Sequence, residues 1–187
     1  RGAPPREGAI LRQPDLARTL RRIAERGAAG FYHGAVAEAI AADVKAHGGI
    51  LGREDLEAYR ARLRRPIEGT YRDLHLLVAP PPSSGGVLLL EILNMLEPYR
   101  VGRFAPLSRP AVHLMTEMER RAYADRSSLL GDPAFFDVPV AQLVSKQYAL
   151  TRAADISLDR ATPSSSVAPG QIPPARPAAD RGAGTSS

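Results

Sequence analysis

Two carboxylates, Glu117 and Asp125, stand among apolar neighbours in the longest helical stretch of this chain, with Arg126 beside the second. Paired carboxylates can divide acid and base roles when their environments differ. Eight residues of helix, however, set them about 12 Å apart at 1.5 Å per residue, wider than paired acid–base chemistry usually wants. Bridging is the better expectation: Asp125 and Arg126 lie near the helix end, where charge-assisted bonds can tie it to other segments. The second candidate is the junction A-P-P-P-S-S-G-G from Ala79 to Gly86. N–H groups at a glycine-rich helix start can hold an anion or carboxylate, and a serine on a tight turn can be a nucleophile. The nucleophile-elbow spacing and the P-loop lysine are both missing. A structural turn is therefore expected, or else Ser83, Ser84, Gly85 and Gly86 form one wall of a site built mostly from other residues. His33 and His47 have no second ligand at i+3 or i+4, and His113 has no nucleophile nearby to complete a triad. No metal and no cofactor is expected.

The elements that must position these residues follow from periodicity. Leu74 to Ala79 alternates as a half-buried strand does, and Ile67 to Tyr71 pairs with it across a turn at Arg72-Asp73. Pro80, Pro81 and Pro82 lack an N–H and stop the strand; Ser83 or Ser84 can cap the next helix, and Gly85 and Gly86 permit a close backbone approach. That helix, Gly86 to Leu96, is apolar nearly all round, which implies burial on more than one face. After a loop from Tyr99 to Pro110, a helix from Ala111 to Leu130 places Ala111, Leu114, Met115, Met118, Ala122, Leu129 and Leu130 on one side. Gly131-Asp132-Pro133 ends it, Phe135-Phe136 anchors the loop beyond, and short helices are expected at 139–144 and 146–155. Upstream, a helix at 14–27 ends on Gly27. A second, antiparallel to it, carries Tyr32, Val36, Ile40 and Val44 at spacing four and ends at Gly48-Gly49. The run Ile50 to Tyr59 adds a short helix with Glu54 and Asp55 at its positive end.

Composition narrows the classes. With 187 residues and 44% hydrophobic content the chain can form one domain with a core. Its longest apolar run, Val87 to Leu96, is broken by Glu91 and Asn94, and a span needs about 20 residues, so no membrane span is expected. The absence of cysteine removes disulfides and thiolate chemistry and fits any compartment. A net charge of +5 raises nucleic-acid binding, but Arg18, Arg21, Arg22 and Arg26 read as the solvated face of an amphipathic helix backed by Leu16, Leu20, Ile23 and Ala24. Few aromatic residues interleave with the basic ones, so nucleic acid is not expected as a partner. Residues 1–9 read as a mobile start, 10–160 as the ordered part, and 161–187, rich in Pro, Ser, Ala and Gly, as a mobile tail. The first residue, Arg1, is not an initiator methionine, which suggests a fragment.

With these residues in view, the chain resembles the C-terminal part of the large subunit of gamma-glutamyltranspeptidase, or glutathione hydrolase. The resemblance is carried in order by L-R-Q-P-D-L-A-R-T-L from Leu11, G-F-Y-H-G from Gly30, G-G-I-L from Gly48, E-D-L from Glu54, P-I-E-G-T-Y-R from Pro66, and P-P-P-S-S-G-G from Pro80. Glu117, A-Y-A-D-R-S from Ala122, G-D-P from Gly131 and P-S-S-S-V-A-P-G from Pro163 complete it. Gly52 stands where the family has a hydroxyl cap and Asp73 where it has a glycine; both are tolerable, since glycine is an acceptable cap and aspartate enters left-handed turns readily. The resemblance implies an α/β (α+β) class: part of the αββα four-layer N-terminal-nucleophile hydrolase fold, mostly helical here. It implies a precursor that cuts itself before a threonine, which then attacks the gamma-glutamyl carbonyl of glutathione-like donors with its own α-amino group as base. That threonine opens the small subunit, the expected partner in a heterodimer. The family pattern is a threonine, then Thr or Ser, then His; Thr185-Ser186-Ser187 has no histidine after it, so Thr185 is not assigned as nucleophile and no catalytic residue is expected in this chain. A periplasmic or extracellular setting is what the family implies. The alternative is a non-catalytic relative that serves as an interaction module.

Overall fold

The computed structural model describes residues 4–172, and the chain forms two compact units that divide after Leu63. The first unit is helical. Pro14 starts α1 (Pro14–Arg26), and Gly27, at φ +60°, ends it by donating its N–H to the Ile23 carbonyl. Next comes α2 (Ala29–Tyr32), where Gly30 is obligatory: a Cβ there would strike the Arg22 carbonyl of α1. The single helix expected up to Gly48 is in fact broken. His33 is extended and Gly34 sits at φ +64°, so α3 (Ala35–Ala46) begins afresh. Tyr32 leaves the Val36 stripe and stacks on Tyr59, ring centroids 5.1 Å apart. The next helix is shorter than expected, α4 (Arg53–Ala58), because Gly52 is its cap position and donates its N–H to Asp55 Oδ2 at 2.8 Å, leaving Ile50 exposed before it. No residue of α1 is buried, and Leu16 and Leu20 of its apolar stripe are exposed.

The second unit holds a hairpin and a helical core. β1 (Ile67–Tyr71) and β2 (Leu74–Val78) pair antiparallel, Ile67 opposite Val78 and Tyr71 opposite Leu74, about a turn in which Arg72 takes φ +52°. Gly69 lets the hairpin lie directly on α5 (Gly85–Leu96): a Cβ there would sit 2.5 Å from Leu90 Cδ2. As expected of so apolar a helix, α5 buries several faces, with Val87, Leu88, Leu90 and Met95 all enclosed. It packs beside α6 (Arg109–Leu129), α7 (Val140–Leu143) and α8 (Lys146–Ala153). Leu88, Met95, Leu114, Met118, Ala122, Ala149 and Ala153 make the core. The alanines on α6 and α8 leave room for the helices to close on α5, and burial of the larger side chains contributes about 1.5 to 3 kcal/mol each. Met115 was placed on this face by the sequence pattern but is exposed, since it lies a quarter-turn past Leu114.

Candidate functional site

The buried face of α6 carries charge as well as apolar groups. Glu117, Arg121 and Asp125 recur every four residues, so they line one stripe of the helix, and each is at most 1% exposed. Burying charges costs several kcal/mol each unless every one is paired. Around Glu117 the pairing is dense. Its Oε2 accepts from Arg121 Nη1 at 2.9 Å, and its Oε1 accepts from Arg120 Nη1 at 2.6 Å and from the Thr162 backbone N–H at 2.8 Å. Arg121 also donates through Nε and Nη2 to Asp155 Oδ1 on the rim. Burial would raise the Glu117 pKa, but the Thr162 and Arg121 donors outweigh it and hold the carboxyl down at about 2.

Asp125 is held differently. Its Oδ2 accepts from Tyr148 Oη at 2.7 Å and from Arg152 Nε at 2.9 Å, both on α8, while its Oδ1 accepts from the Gly170 backbone N–H at 2.6 Å. Arg152 Nη2 donates to the carbonyls of Arg121 and Ala168, at 3.2 and 3.1 Å. Facing this group is Glu91 of α5, buried, its two oxygens without a donor among the described residues. Burial first, then the neighbouring Asp125, push the Glu91 carboxyl up to about 9, against the smaller pull of Arg152. Glu91 is therefore neutral near pH 7, and a neutral carboxyl can donate its proton to Asp125, which an ionised one cannot. The Tyr148 hydroxyl is pushed above its ordinary value by burial and by Asp125, so it stays a donor.

The residues singled out from sequence fall as follows. Ser84 occupies the cap position of α5, yet its hydroxyl caps nothing; it accepts from Arg126 Nε at 3.0 Å, joining two stretches 42 residues apart. Ser83 is exposed and donates its N–H to the Pro80 carbonyl at 3.2 Å. Gly86 is a true close approach, since a Cβ would strike the Ala79 carbonyl, whereas Gly85 has open space with only Ser83 Oγ near, at 3.7 Å. Asp125 and Arg126 point apart, one buried and one exposed, as adjacent helix residues do. His113 shares a 2.7 Å hydrogen bond with the Ser157 carbonyl. Among the described residues there is no cluster of His, Asp or Glu placed to hold a metal. In the tail, Thr162 and Gly170 are bonded to buried carboxylates and Ser164–Ser166 forms a 3-10 turn. Residues 1–3 and 173–187, Thr185 included, lie outside the described residues.

Glu91, Arg121, Tyr148, Arg152 and Gly170 were not singled out from sequence. The four-residue spacing of Arg121 between Glu117 and Asp125 was a usable signal; Gly170 closes the P-S-S-S-V-A-P-G run, but nothing in that run points to Asp125 as its partner. A groove of about 410 Å³ runs between α8 and the tail, lined by Arg121, Tyr148, Arg152, Asp155, Ala168 and Gly170. Another pocket, about 600 Å³, lies against Arg64, Arg65, Pro80, Phe135 and Phe136, and its charged residues are exposed.

Helices laid over a short hairpin, with the tail drawn along α6, are the helical portion of an N-terminal-nucleophile hydrolase fold, as the solved relatives show. The chain belongs to the gamma-glutamyltranspeptidase family, whose model matches residues 1–186. It is 44% identical over 173 residues to the glutathione hydrolase proenzyme of Escherichia coli (strain K12), covering 92% of this chain and 30% of that protein. A solved Helicobacter pylori gamma-glutamyltranspeptidase matches at 42% identity with a TM-score of 0.79, covering 90% of this chain and 49% of that one. The Bacillus anthracis transpeptidase enzyme CapD matches at 36% with a TM-score of 0.62, over 79% of this chain and 49% of that one. The chain thus spans about three tenths of the length of the curated relatives it matches.

Proposed function

We propose that this chain is the supporting part of a gamma-glutamyltranspeptidase large subunit, without catalytic activity of its own. The parent protein cleaves the gamma-glutamyl bond of glutathione and related donors. The hydroxyl of a threonine on the small subunit attacks the gamma-carbonyl, and its α-amino group takes the proton and gives it to the departing amine. Water or an amino-acid or peptide acceptor then releases the gamma-glutamyl group from the threonine ester. That threonine is exposed by hydrolysis of one peptide bond in the precursor, which consumes a water and leaves a carboxylate and a free amine. The word proenzyme in the relatives' names is consistent with such processing.

One observation carries the supporting role. Among the described residues no serine or threonine hydroxyl shares a hydrogen bond with a histidine side chain, while the buried carboxylates Glu117 and Asp125 are engaged in holding the tail, Glu117 through the N–H and hydroxyl of Thr162 and Asp125 through the Gly170 N–H. A scaffold needs that arrangement and a nucleophilic site does not. The test is release of chromophore from a gamma-glutamyl anilide, with this chain alone and with the small subunit supplied. Release only with the small subunit is expected; turnover by the chain alone overturns the proposal, and no turnover in either arm favours an interaction module. A periplasmic or extracellular setting belongs to the same proposal and is checked by fractionation of cells making the precursor.

A further inference from the structure

The tail runs alongside α6 in the same direction and is fastened twice, at Thr162 by Glu117 and at Gly170 by Asp125. The second fastening is the more elaborate. Three donors from two segments, α8 and the tail, converge on one buried carboxylate, and Arg152, one of them, reaches past it to the Ala168 carbonyl. Gly170 fits because it has no side chain: a Cβ would strike the Tyr148 hydroxyl and lie 2.8 Å from Arg152 Cδ. The backbone of Gly170 is thus held by its N–H and by the bulk of Tyr148 and Arg152. None of this rigidity is needed to close the core, whose apolar residues lie on α5, α6 and α8 without the tail.

We propose that Asp125, with Tyr148 and Arg152, is a positioning residue for processing: it fixes Gly170, from which the chain continues towards the peptide bond that the precursor cuts, and so limits how far that bond can stray. This rests on the family reading above. A segment tethered at one end samples a smaller volume than a free one, so a fixed Gly170 raises the local concentration of the bond to be cut at its site.

The experiment uses the full-length precursor, as wild type and as Asp125→Ala, Asp125→Asn and Gly170→Ala. Hydrogen exchange of peptides covering 163–172 reads the seat, and the rate of appearance of two subunits on a denaturing gel reads the processing. In Asp125→Ala and Gly170→Ala, exchange in 163–172 is expected to rise by about tenfold or more, and processing to slow on the order of tenfold to a hundredfold. Asp125→Asn keeps an acceptor for the Gly170 N–H and is expected to recover part of the processing rate. Gly170→Ala, half-buried and outside the apolar core, guards against a folding defect, and its melting temperature is expected within about 2 °C of wild type. Unchanged exchange in both Asp125→Ala and Gly170→Ala overturns the seat. Raised exchange with processing at the wild-type rate overturns the positioning role and leaves the family function standing. A wild-type precursor that never divides, yet shows the exchange differences, overturns the processing proposal while the seat itself stands.

Discussion

The two ends of the charged stripe on α6 bury the same kind of group in different ways. At Glu117 the surroundings are balanced: two carboxylates, Glu117 and Asp155, face two guanidinium groups, Arg120 and Arg121. At Asp125 there are two carboxyl groups, Asp125 and Glu91, and one guanidinium, Arg152. The first end is neutral with every group ionised, and the second is neutral only when it keeps a proton. Burial pushes both carboxyls up: at Glu91 Asp125 adds to it and only Arg152 opposes it, so the carboxyl rises to about 9, while at Glu117 the Thr162 and Arg121 donors outweigh it and hold the carboxyl at about 2. Counting charges in a buried stripe therefore says little until each is set against its donors.

The comparison can be broken most forcefully at the balanced end. Arg121→Met leaves Glu117 with Arg120 and Thr162 alone in a buried site, and is expected to cost about 3 to 5 kcal/mol, measured by urea denaturation at pH 7. A loss well below 1 kcal/mol would mean that the pairing contributes little there. At the other end Asp125→Asn keeps the volume but loses the charge that Arg152 and Tyr148 bind, with an expected loss of about 1 to 3 kcal/mol.

The proton itself gives a test of sign. Unfolded, Glu91 titrates at its ordinary value of 4.5; folded, at about 9. Between these values the native state binds the extra proton, so this group's contribution is complete below pH 4.5 and is lost as pH rises through 9. For Glu117, folded at about 2, the contribution is present above 4.5 and is lost as pH falls towards 2. Denaturation profiles from pH 5 to 9 are expected to slope downward for wild type and to be flatter in Glu91→Gln, which overtakes wild type at the alkaline end. Parallel profiles would show that Glu91 is not the proton holder. The smallest effect is expected outside the stripe: Ser84→Ala removes only a hydroxyl that accepts from the exposed Arg126, and its denaturation midpoint should match wild type.

Much of the second unit could be read locally. The alternation of Leu74 to Val78, the proline stop and the all-round apolar α5 each depend on residues within a few positions of one another, and they formed as the pattern implies. What escaped were features set at a distance. His33-Gly34 breaks a helix whose spacing by four runs on unbroken in sequence, while Tyr32 is taken up by Tyr59. The composition of the tail from 161 offers little apolar surface, and nothing in it shows that its N–H groups bond to acceptors on α6 that lie 45 residues upstream. Glu117 and Asp125 were noticed as odd in their surroundings, but Arg121 was not, because arginine is so commonly solvated that its burial is visible only once Asp155 and Glu117 are seen around it.

The two anchors also act as a ruler. Thr162 to Gly170 covers the same count of residues as Glu117 to Asp125, but an extended strand of that length would reach about 27 Å and the helix between the carboxylates rises only about 12 Å. Part of the surplus is taken up in the turn at Ser164–Ser166, and the rest by a path that is less than fully extended. Length in that bend is therefore spare: one or two residues could be deleted or inserted there and both amides would still reach their carboxylates, whereas a change in the helical spacing of α6 has no slack to absorb it.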